Sequence, residues 1–131
     1  MNNKPFLTMR TILVPLLITG FITLSHPVHA QDEKSASQAD IEKGKELMFA
    51  RSKGNCLACH KIPGGELEGT VGPPLYNMRE RYPDRELLFK RIWDEREFIP
   101  GTQMPPFGPH MILTEKEINF IIDYLYNAED E

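Results

Sequence analysis

The sequence predicts an all-α domain of three to four helices. Apolar residues recur at helical spacing near residues 40–51, 83–93 and 114–125, and no segment shows the strict alternation typical of a β-strand. A further observation is the pentapeptide Cys-Leu-Ala-Cys-His at residues 56–60, a spacing typical of the covalent attachment of a prosthetic group. The helices are therefore expected to wrap around a bound group.

The first predicted helix runs from about Asp40 to Arg51. Asp40 is expected to cap the free backbone N–H groups at its start, and Ile41 and Met48 lie near helical spacing. Gly44 interrupts this helix, where glycine costs about 1 kcal/mol relative to alanine. A glycine in the middle of a helix is explained if another element approaches closely at that point.

The Cys-x-x-Cys-His motif predicts one haem c as the cofactor. Cys56 and Cys59 can each form a thioether with a haem vinyl group, and His60 can then bind the iron from one side. A redox disulfide is the alternative, but no strand of a βαβ unit is predicted before Cys56. A zinc site would need more ligands, and beyond the motif the chain after residue 30 offers only His110 as a further Cys or His.

Two more helices follow the motif. Residues 61–76 are rich in glycine and proline and are expected to wrap rather than to form a regular element. Pro83-Asp84 opens the second helix, which continues through Trp93 until the charges of residues 94–97 close it, and its apolar side is expected to face the haem. The last helix begins with a capping box at residues 114–117. Its apolar stripe is predicted to be structural core: Ile118, Ile121, Ile122 and Leu125.

The second iron ligand decides whether a haem transfers electrons or binds small molecules. Met104 lies within Pro100–Pro109, where proline fixes φ and forces the preceding residue toward extended conformations. Met104 is therefore predicted to lie on a stiff loop as the second axial ligand, with filling of the core as the alternative role. His110 is the second choice. The remaining rivals lie in less suitable contexts: Met48 on the first helix, Met78 near the wrapping loop and Met111 just before the last helix.

Residues 1–30 are predicted to be a signal peptide. Basic residues near the start precede an apolar run and a small-residue site for cleavage near Ala30. An uncleaved membrane anchor is the alternative, but proline and glycine interrupt the run, which is shorter than the ~20 residues of a spanning helix. No cysteine lies at the cleavage point, so a lipid anchor is not predicted. Residues 31–39 are interpreted as a flexible leader and residues 40–131 as one domain.

The charge of the chain argues against nucleic acid as a partner. The net charge is −4, and it becomes −6 without residues 1–30, which hold two basic residues and no acidic ones. Phosphate binding requires a basic stripe instead. A domain of about 100 residues buries roughly 65% of its unfolded surface, which leaves it marginally stable unless a group such as haem adds to the core.

Four segments of the C-terminal half are characteristic: Arg81–Asp84, Ile92–Asp94, Pro100–Gly108 and Ile112–Ile118. Together they resemble the SoxX family, the monohaem class I cytochrome c subunits of the sulfur-oxidising SoxAX cytochromes. The resemblance runs from about residue 41 to residue 126 and implies a class I cytochrome c-like fold in residues 40–131, wrapped around one covalently bound haem.

The same resemblance implies two contacts. Tyr124 is expected to pack on Gly44 where the first and last helices cross. His60 must be neutral to bind iron, so its second ring nitrogen carries a proton that needs an acceptor. The carbonyl of Pro73, in a Gly-Pro-x-Leu segment, matches the acceptor that cytochromes c use for that proton.

The resemblance also implies a function. SoxAX oxidatively joins thiosulfate to a cysteine of a carrier protein, and this chain would be its electron-transferring subunit in the periplasm, paired with a SoxA-like haem subunit and discharging to a downstream electron acceptor. Because Cys56 and Cys59 are both used in thioethers, the catalytic site of that oxidoreductase is expected on the partner. Two alternatives stay open: a free periplasmic shuttle serving a terminal oxidase or peroxidase, and a ligand-binding haem domain with an open iron site.

Overall fold

A computed structural model describes residues 36–128 of the chain and shows four α-helices in this part and no β-strand. The helices are α1 (Gln38–Phe49), α2 (Met78–Arg81), α3 (Arg85–Trp93) and α4 (Glu115–Asn127), and short 3₁₀ turns form at Cys56–Ala58 and Glu95–Glu97. The predicted all-α fold is confirmed. The predicted signal peptide and residues 31–35 of the leader lie outside the described residues. None of the helices in residues 36–128 is long and apolar enough to cross a membrane.

Helix α1 begins two residues earlier than predicted because Ser37, not Asp40, is its N-cap. Ser37 has an extended backbone (φ −72°, ψ 152°), and its hydroxyl accepts a hydrogen bond from the Asp40 backbone N–H. The Asp40 carboxylate in turn accepts from the Ser37 hydroxyl at 2.7 Å. Asp40 therefore lies in the first turn, where a negative charge favours the helix N-terminus.

The predicted start of α3 at Pro83-Asp84 and the capping box predicted for α4 are both confirmed. The Asp84 carboxylate accepts hydrogen bonds from the Glu86 and Leu87 N–H groups at 2.9 and 3.2 Å. Thr114 and Glu117 form a reciprocal capping box at the start of α4. The apolar stripe of α4 is buried as predicted, with at most 5% exposure at each position: Ile118, Ile121, Ile122 and Leu125.

Helices α1 and α4 cross at Gly44, as expected. A Cβ atom at Gly44 would lie 1.9 Å from the Phe120 carbonyl oxygen and 2.9 Å from the Tyr124 Cβ. The two backbones thus approach more closely than any other residue type allows. The Tyr124 hydroxyl also donates to the Pro63 carbonyl at 2.6 Å, so the last helix holds the beginning of the wrapping loop in residues 61–76.

Helix α2 was not predicted from the sequence. It has four residues, too few for a repeating apolar pattern, and it follows Asn77, whose backbone is left-handed (φ 52°). Met78 is buried at 2% exposure and anchors this helix in the core. Residues 61–76 themselves contain no helix and run as a wrapping loop, as expected.

Candidate functional site

The Cys-x-x-Cys-His motif follows α1 through a sharp change of direction. Asn55 adopts a left-handed backbone (φ 47°) and precedes the 3₁₀ turn Cys56–Ala58. The Cys59 and His60 N–H groups both donate to the Cys56 carbonyl, at 3.1 and 2.9 Å. The turn therefore fixes the two thiols and the imidazole relative to one another through the backbone.

Two glycines of the wrapping loop pack directly on this motif. The Gly69 N–H donates to the Leu57 carbonyl at 2.7 Å, and the Gly72 N–H donates to the Cys59 carbonyl at 2.8 Å. A Cβ at Gly69 would lie 2.1 Å from the Ala58 carbonyl oxygen, and one at Gly72 would lie 2.3 Å from the His60 ring. Sequence reasoning assigned these glycines no role, although their density in residues 61–76 was the available signal.

The orientation of His60 is set by the carbonyl of Pro73, which lies 2.6 Å from Nδ1 of the imidazole. A carbonyl oxygen only accepts hydrogen bonds, so Nδ1 carries the proton and donates it. The neutral ring then presents Nε2, with its lone pair, as the atom that can bind a metal. This geometry produces the tautomer that an iron ligand requires.

A cavity of about 540 Å³ lies beside the motif, a volume suited to a cofactor. All five residues predicted for the site line it: Cys56, Cys59, His60, Pro73 and Met104. Much of the remaining wall is apolar and comes from the core, including Leu88, Ile92 and Phe107. The donor set and the apolar wall fit a haem, which needs two thiols for attachment, axial ligands for its iron and apolar surface for its ring.

Met104 is held on the proline-rich loop beside this cavity. Its N–H donates to the Thr102 hydroxyl at 3.2 Å, and its side chain is partly buried against the core. His110 is exposed and does not line the cavity. Met111 is 89% exposed and does not line it either, whereas the buried Met48 and Met78 do.

Both cysteines are free thiols. Burial raises the pKa of Cys56 to about 12, so its thiol is protonated at neutral pH. A redox-active cysteine needs the opposite environment, one that favours the thiolate. Cys56 thus behaves as part of an apolar pocket wall, which disfavours the redox-disulfide alternative.

Basic side chains predominate among the charged groups that line the cavity in the described part of the chain: Arg51, Lys53, Arg81 and Arg91, with Glu95 as the acidic one. Arg91 Nη1 is 2.7 Å from Glu95 Oε1, and this pair is largely buried. The net positive wall stands out in an acidic protein and complements the carboxylates of a haem.

Trp93 and Gly108 connect α3 to the loop that carries Met104. The Gly108 N–H donates to the Trp93 carbonyl at 3.1 Å, and a Cβ at Gly108 would lie 2.0 Å from the indole ring. The indole also stacks on Phe89, with ring centroids 5.8 Å apart. Sequence analysis did not predict a contact between Trp93 and Gly108, and the structure gives the physical reason why tryptophan and glycine occur together.

The fold and the site define an all-α domain whose haem-attachment motif lines a large, mostly apolar cavity. The cytochrome c family model matches residues 41–129, and the chain belongs to the cytochrome c family. Membership of this family implies an electron-transfer haem domain, with the haem covalently bound at the Cys-x-x-Cys-His motif. The predicted resemblance to the cytochromes c is confirmed, whereas membership of the SoxX family stays a prediction.

One relative comes from Aquifex aeolicus (strain VF5) and is described as an uncharacterized lipoprotein. It is 32% identical to this chain over 101 residues, a match that covers 73% of this chain and 49% of the relative. The chain thus spans about half the length of the curated relative that it matches.

Proposed function

We propose that Cys56 and Cys59 attach a single haem c and that His60 and Met104 bind its iron on the two sides. The observation that carries this assignment is the cavity itself, which these four residues line although Met104 is more than forty positions further along the chain. Ligation by histidine and methionine raises the reduction potential and leaves no open coordination position for a small molecule. The site is therefore suited to electron transfer.

The protein's own residues keep the geometry of this site fixed while electrons enter and leave. The haem supplies the one-electron chemistry when bound. The Pro73 carbonyl keeps the proton on Nδ1 of His60, and the backbone hydrogen bond to Thr102 holds Met104 in its loop. The apolar wall excludes water from the iron, and outer contacts of this kind tune the potential of a metal centre.

The ligand assignment is tested by exchanging the candidates one at a time. In the oxidised mature protein we expect the weak far-red absorption band of a sulfur-ligated haem. Met104→Ala should abolish this band and allow the reduced protein to bind carbon monoxide, because a coordination position opens. His110→Ala is the matched control and should keep the band. A parent protein without the band, in which His110→Ala but not Met104→Ala allows the reduced protein to bind carbon monoxide, would reassign the ligand to His110.

We further propose that the chain is the electron-transferring subunit of a SoxAX-type complex. The SoxX-like segments support this proposal, and two of them contact each other through Trp93 and Gly108. With both cysteines in thioethers, this chain has no thiol that could take part in the conjugation, so a larger haem subunit catalyses the joining of thiosulfate to the cysteine of the carrier protein. Joining two sulfur centres releases two electrons, whereas one haem iron accepts only one. This chain therefore passes on an electron twice per turnover or shares the two electrons with another redox centre.

The complex is tested with the mature holoprotein and thiosulfate. We expect the haem to be reduced by thiosulfate only when a larger SoxA-like haem subunit and the cysteine-bearing carrier protein are present, and we expect that subunit to co-purify. Direct reduction of a terminal oxidase or peroxidase by the isolated protein, without co-purification, would support the free shuttle instead. The two results separate the two functions.

We propose export to the periplasm with cleavage near Ala30, without a stable membrane anchor afterwards. Covalent haem fits export, because the two thiols would otherwise be exposed to oxidation outside the cytoplasm. The description of the Aquifex relative as a lipoprotein also supports export of this group of proteins. The intact mass of the periplasmic protein should equal that of residues 31–131 plus one haem, whereas an added lipid or a retained leader would contradict the proposal.

A further inference from the structure

We infer that Glu95 lowers the reduction potential of the proposed haem through its charge. Glu95 is the one acidic residue among those of residues 36–128 that line the cavity. Its side chain is only 10% exposed, and its Oε1 lies 2.7 Å from Nη1 of Arg91, which also lines the cavity. A carboxylate in the wall stabilises the oxidised iron, which carries one more positive charge than the reduced iron. The inference rests on the proposed binding of haem in this cavity.

Two atoms of this ion pair have no hydrogen-bond partner within the described part of the chain. They are Glu95 Oε2 and Arg91 Nε, and both are buried. A buried polar atom without a hydrogen bond is costly, so each such atom in a folded protein needs an explanation. No hydrogen bond from residues 36–128 offsets these two atoms, and their residues line the cavity. The charges of the pair therefore act on the group that occupies the cavity.

Folding stability does not explain the presence of a charged pair in this wall. The cost of removing two charges from water can exceed the gain from their attraction, so a buried ion pair is weak evidence for stability. Neighbouring parts of the same wall are apolar, including Leu88 and Ile92 of helix α3. Apolar side chains would serve the packing equally well, whereas only charged ones change the potential of a redox centre.

The two partners of the pair are held in place independently of each other. The backbone carbonyl of Glu95 accepts hydrogen bonds from the Phe98 and Ile99 N–H groups at 3.0 and 2.8 Å. The guanidinium carbon of Arg91 lies 5.6 Å from the ring centroid of Tyr82 and 4.6 Å from that of Phe98. Cation–π contacts of this kind hold the guanidinium group without the carboxylate. Glu95→Gln should therefore remove one charge and leave Arg91 in place.

Asp94 provides a matched control, because it is an equally buried carboxylate in the adjacent position that does not line the cavity. Asp94 is 7% exposed and Glu95 is 8% exposed. The Asp94 carboxylate accepts hydrogen bonds from the Arg96 side chain at 2.8 and 2.6 Å. The Arg96 side chain is 49% exposed, so solvent screens this pair more strongly. Removing the charge of Asp94 should therefore affect the cavity less.

The test measures the reduction potential of the mature holoprotein by redox titration. In Glu95→Gln we expect the oxidation equilibrium to shift about 10-fold toward the reduced form, as one charge does across about 10 Å at an effective dielectric constant of about 20. Arg91→Met removes a positive charge and should shift the equilibrium in the opposite direction. Asp94→Asn should shift it less than about twofold. All three variants should keep the far-red band of a sulfur-ligated haem, which shows that the iron ligands are unchanged.

The outcomes separate this inference from the proposed function. If the parent protein lacks covalent haem or its sulfur-ligated spectrum, the proposed function fails. If the parent shows both, but Glu95→Gln keeps the parent potential, only the role of Glu95 is overturned. Shifts in the same direction in Glu95→Gln and Arg91→Met would show a general loosening of the wall and would also overturn it, as would an equal shift in Asp94→Asn. Should Glu95→Gln fail to fold, the decision falls to Arg91→Met, where an unchanged or raised potential would overturn the role.

Discussion

The crossing of α1 and α4 and the loops around the cavity are held together by different kinds of contact. At the crossing, fully buried side chains and a glycine bring two helices together, as Ile118 and Gly44 show. In residues 61–76, single hydrogen bonds to carbonyl oxygens hold a chain with no regular structure. The residues proposed to bind iron and to form thioethers all lie outside the helices α1–α4. The difference indicates that side-chain packing holds the crossing together, whereas backbone hydrogen bonds fix the geometry of the loops that carry the proposed haem ligands.

Gly44→Ala should break the crossing and have the largest effect on stability. Alanine favours an isolated helix by about 1 kcal/mol, so a loss of stability can come only from the contact with α4. Because the new Cβ would meet the Phe120 backbone at 1.9 Å, the helices must separate. We expect a loss of about 3 kcal/mol in the free energy of unfolding, at the upper end for overpacking, measured by urea denaturation.

Gly101→Ala is the control for the addition of a methyl group elsewhere. A Cβ atom at Gly101 would meet no residue within 4 Å apart from its two chain neighbours, but the backbone there is left-handed (φ 83°), so the substitution should cost about 1–2 kcal/mol through strain alone. A Gly44→Ala protein as stable as the parent would contradict the claim that close approach of α1 and α4 stabilises the fold.

The elements that sequence reasoning located are those with a repeating or paired signal. The capping box at Thr114 and the mid-helix Gly44 are local patterns with a direct physical meaning, and both were placed correctly. The start of α1 was misplaced because Ser37 and Asp40 are both good caps, and the sequence alone does not rank them. Only the extended backbone of Ser37 decides between the two.

The contacts of the site are predictable only in part, for a different reason. The Cys-x-x-Cys-His spacing is the one that covalent attachment of haem requires, so five consecutive residues are enough to predict the attachment point. The hydrogen bonds from Arg81 to the Pro74 and Tyr76 carbonyls and the packing of Gly72 on His60 are not patterns along the chain. They arise because the loop folds back on the motif, and no spacing rule for arginine or glycine encodes such a return.

Tyr124→Phe tests whether the crossing of α1 and α4 is linked to the wrapping loop of residues 61–76, because the Tyr124 side chain contacts both. Its buried hydroxyl donates to the Pro63 carbonyl at 2.6 Å, and burial raises its pKa. Removal leaves a buried carbonyl without this donor, which should cost about 1.5 kcal/mol. We also expect faster hydrogen exchange at the Gly69 and Gly72 amides, because the beginning of their loop is released from α4.

Tyr76→Phe is the matched control for Tyr124→Phe. Within the described residues, the Tyr76 hydroxyl has no hydrogen bond, so stability and amide exchange should stay near those of the parent. If exchange at Gly69 and Gly72 rises only in proportion to global unfolding, the Tyr124 hydroxyl stabilises the helices alone, and the two regions are not linked through it.

The smallest expected effect is a loss of folding stability at acidic pH. Lys53, which lines the cavity, is 2.8 Å from Glu117 in the capping box of α4. Hydrogen bonds from Lys53 and from the Thr114 backbone hold the pKa of Glu117 below its ordinary value of 4.5. A carboxyl whose pKa is lower in the folded state stabilises the fold above its unfolded pKa and loses this contribution as the pH falls through the folded value.

Glu117→Gln isolates that contribution, because glutamine still serves in a capping box but carries no charge. At pH 7 the parent should be more stable by about 0.5 kcal/mol, and the difference should shrink on acidification below pH 4.5, measured by urea denaturation across pH. Glu46→Gln, which breaks the exposed pair with Lys43 within α1, should give a smaller difference. A Glu117→Gln difference that stays constant from pH 7 to pH 3 would show that the charge of Glu117 does not connect the cavity wall to α4.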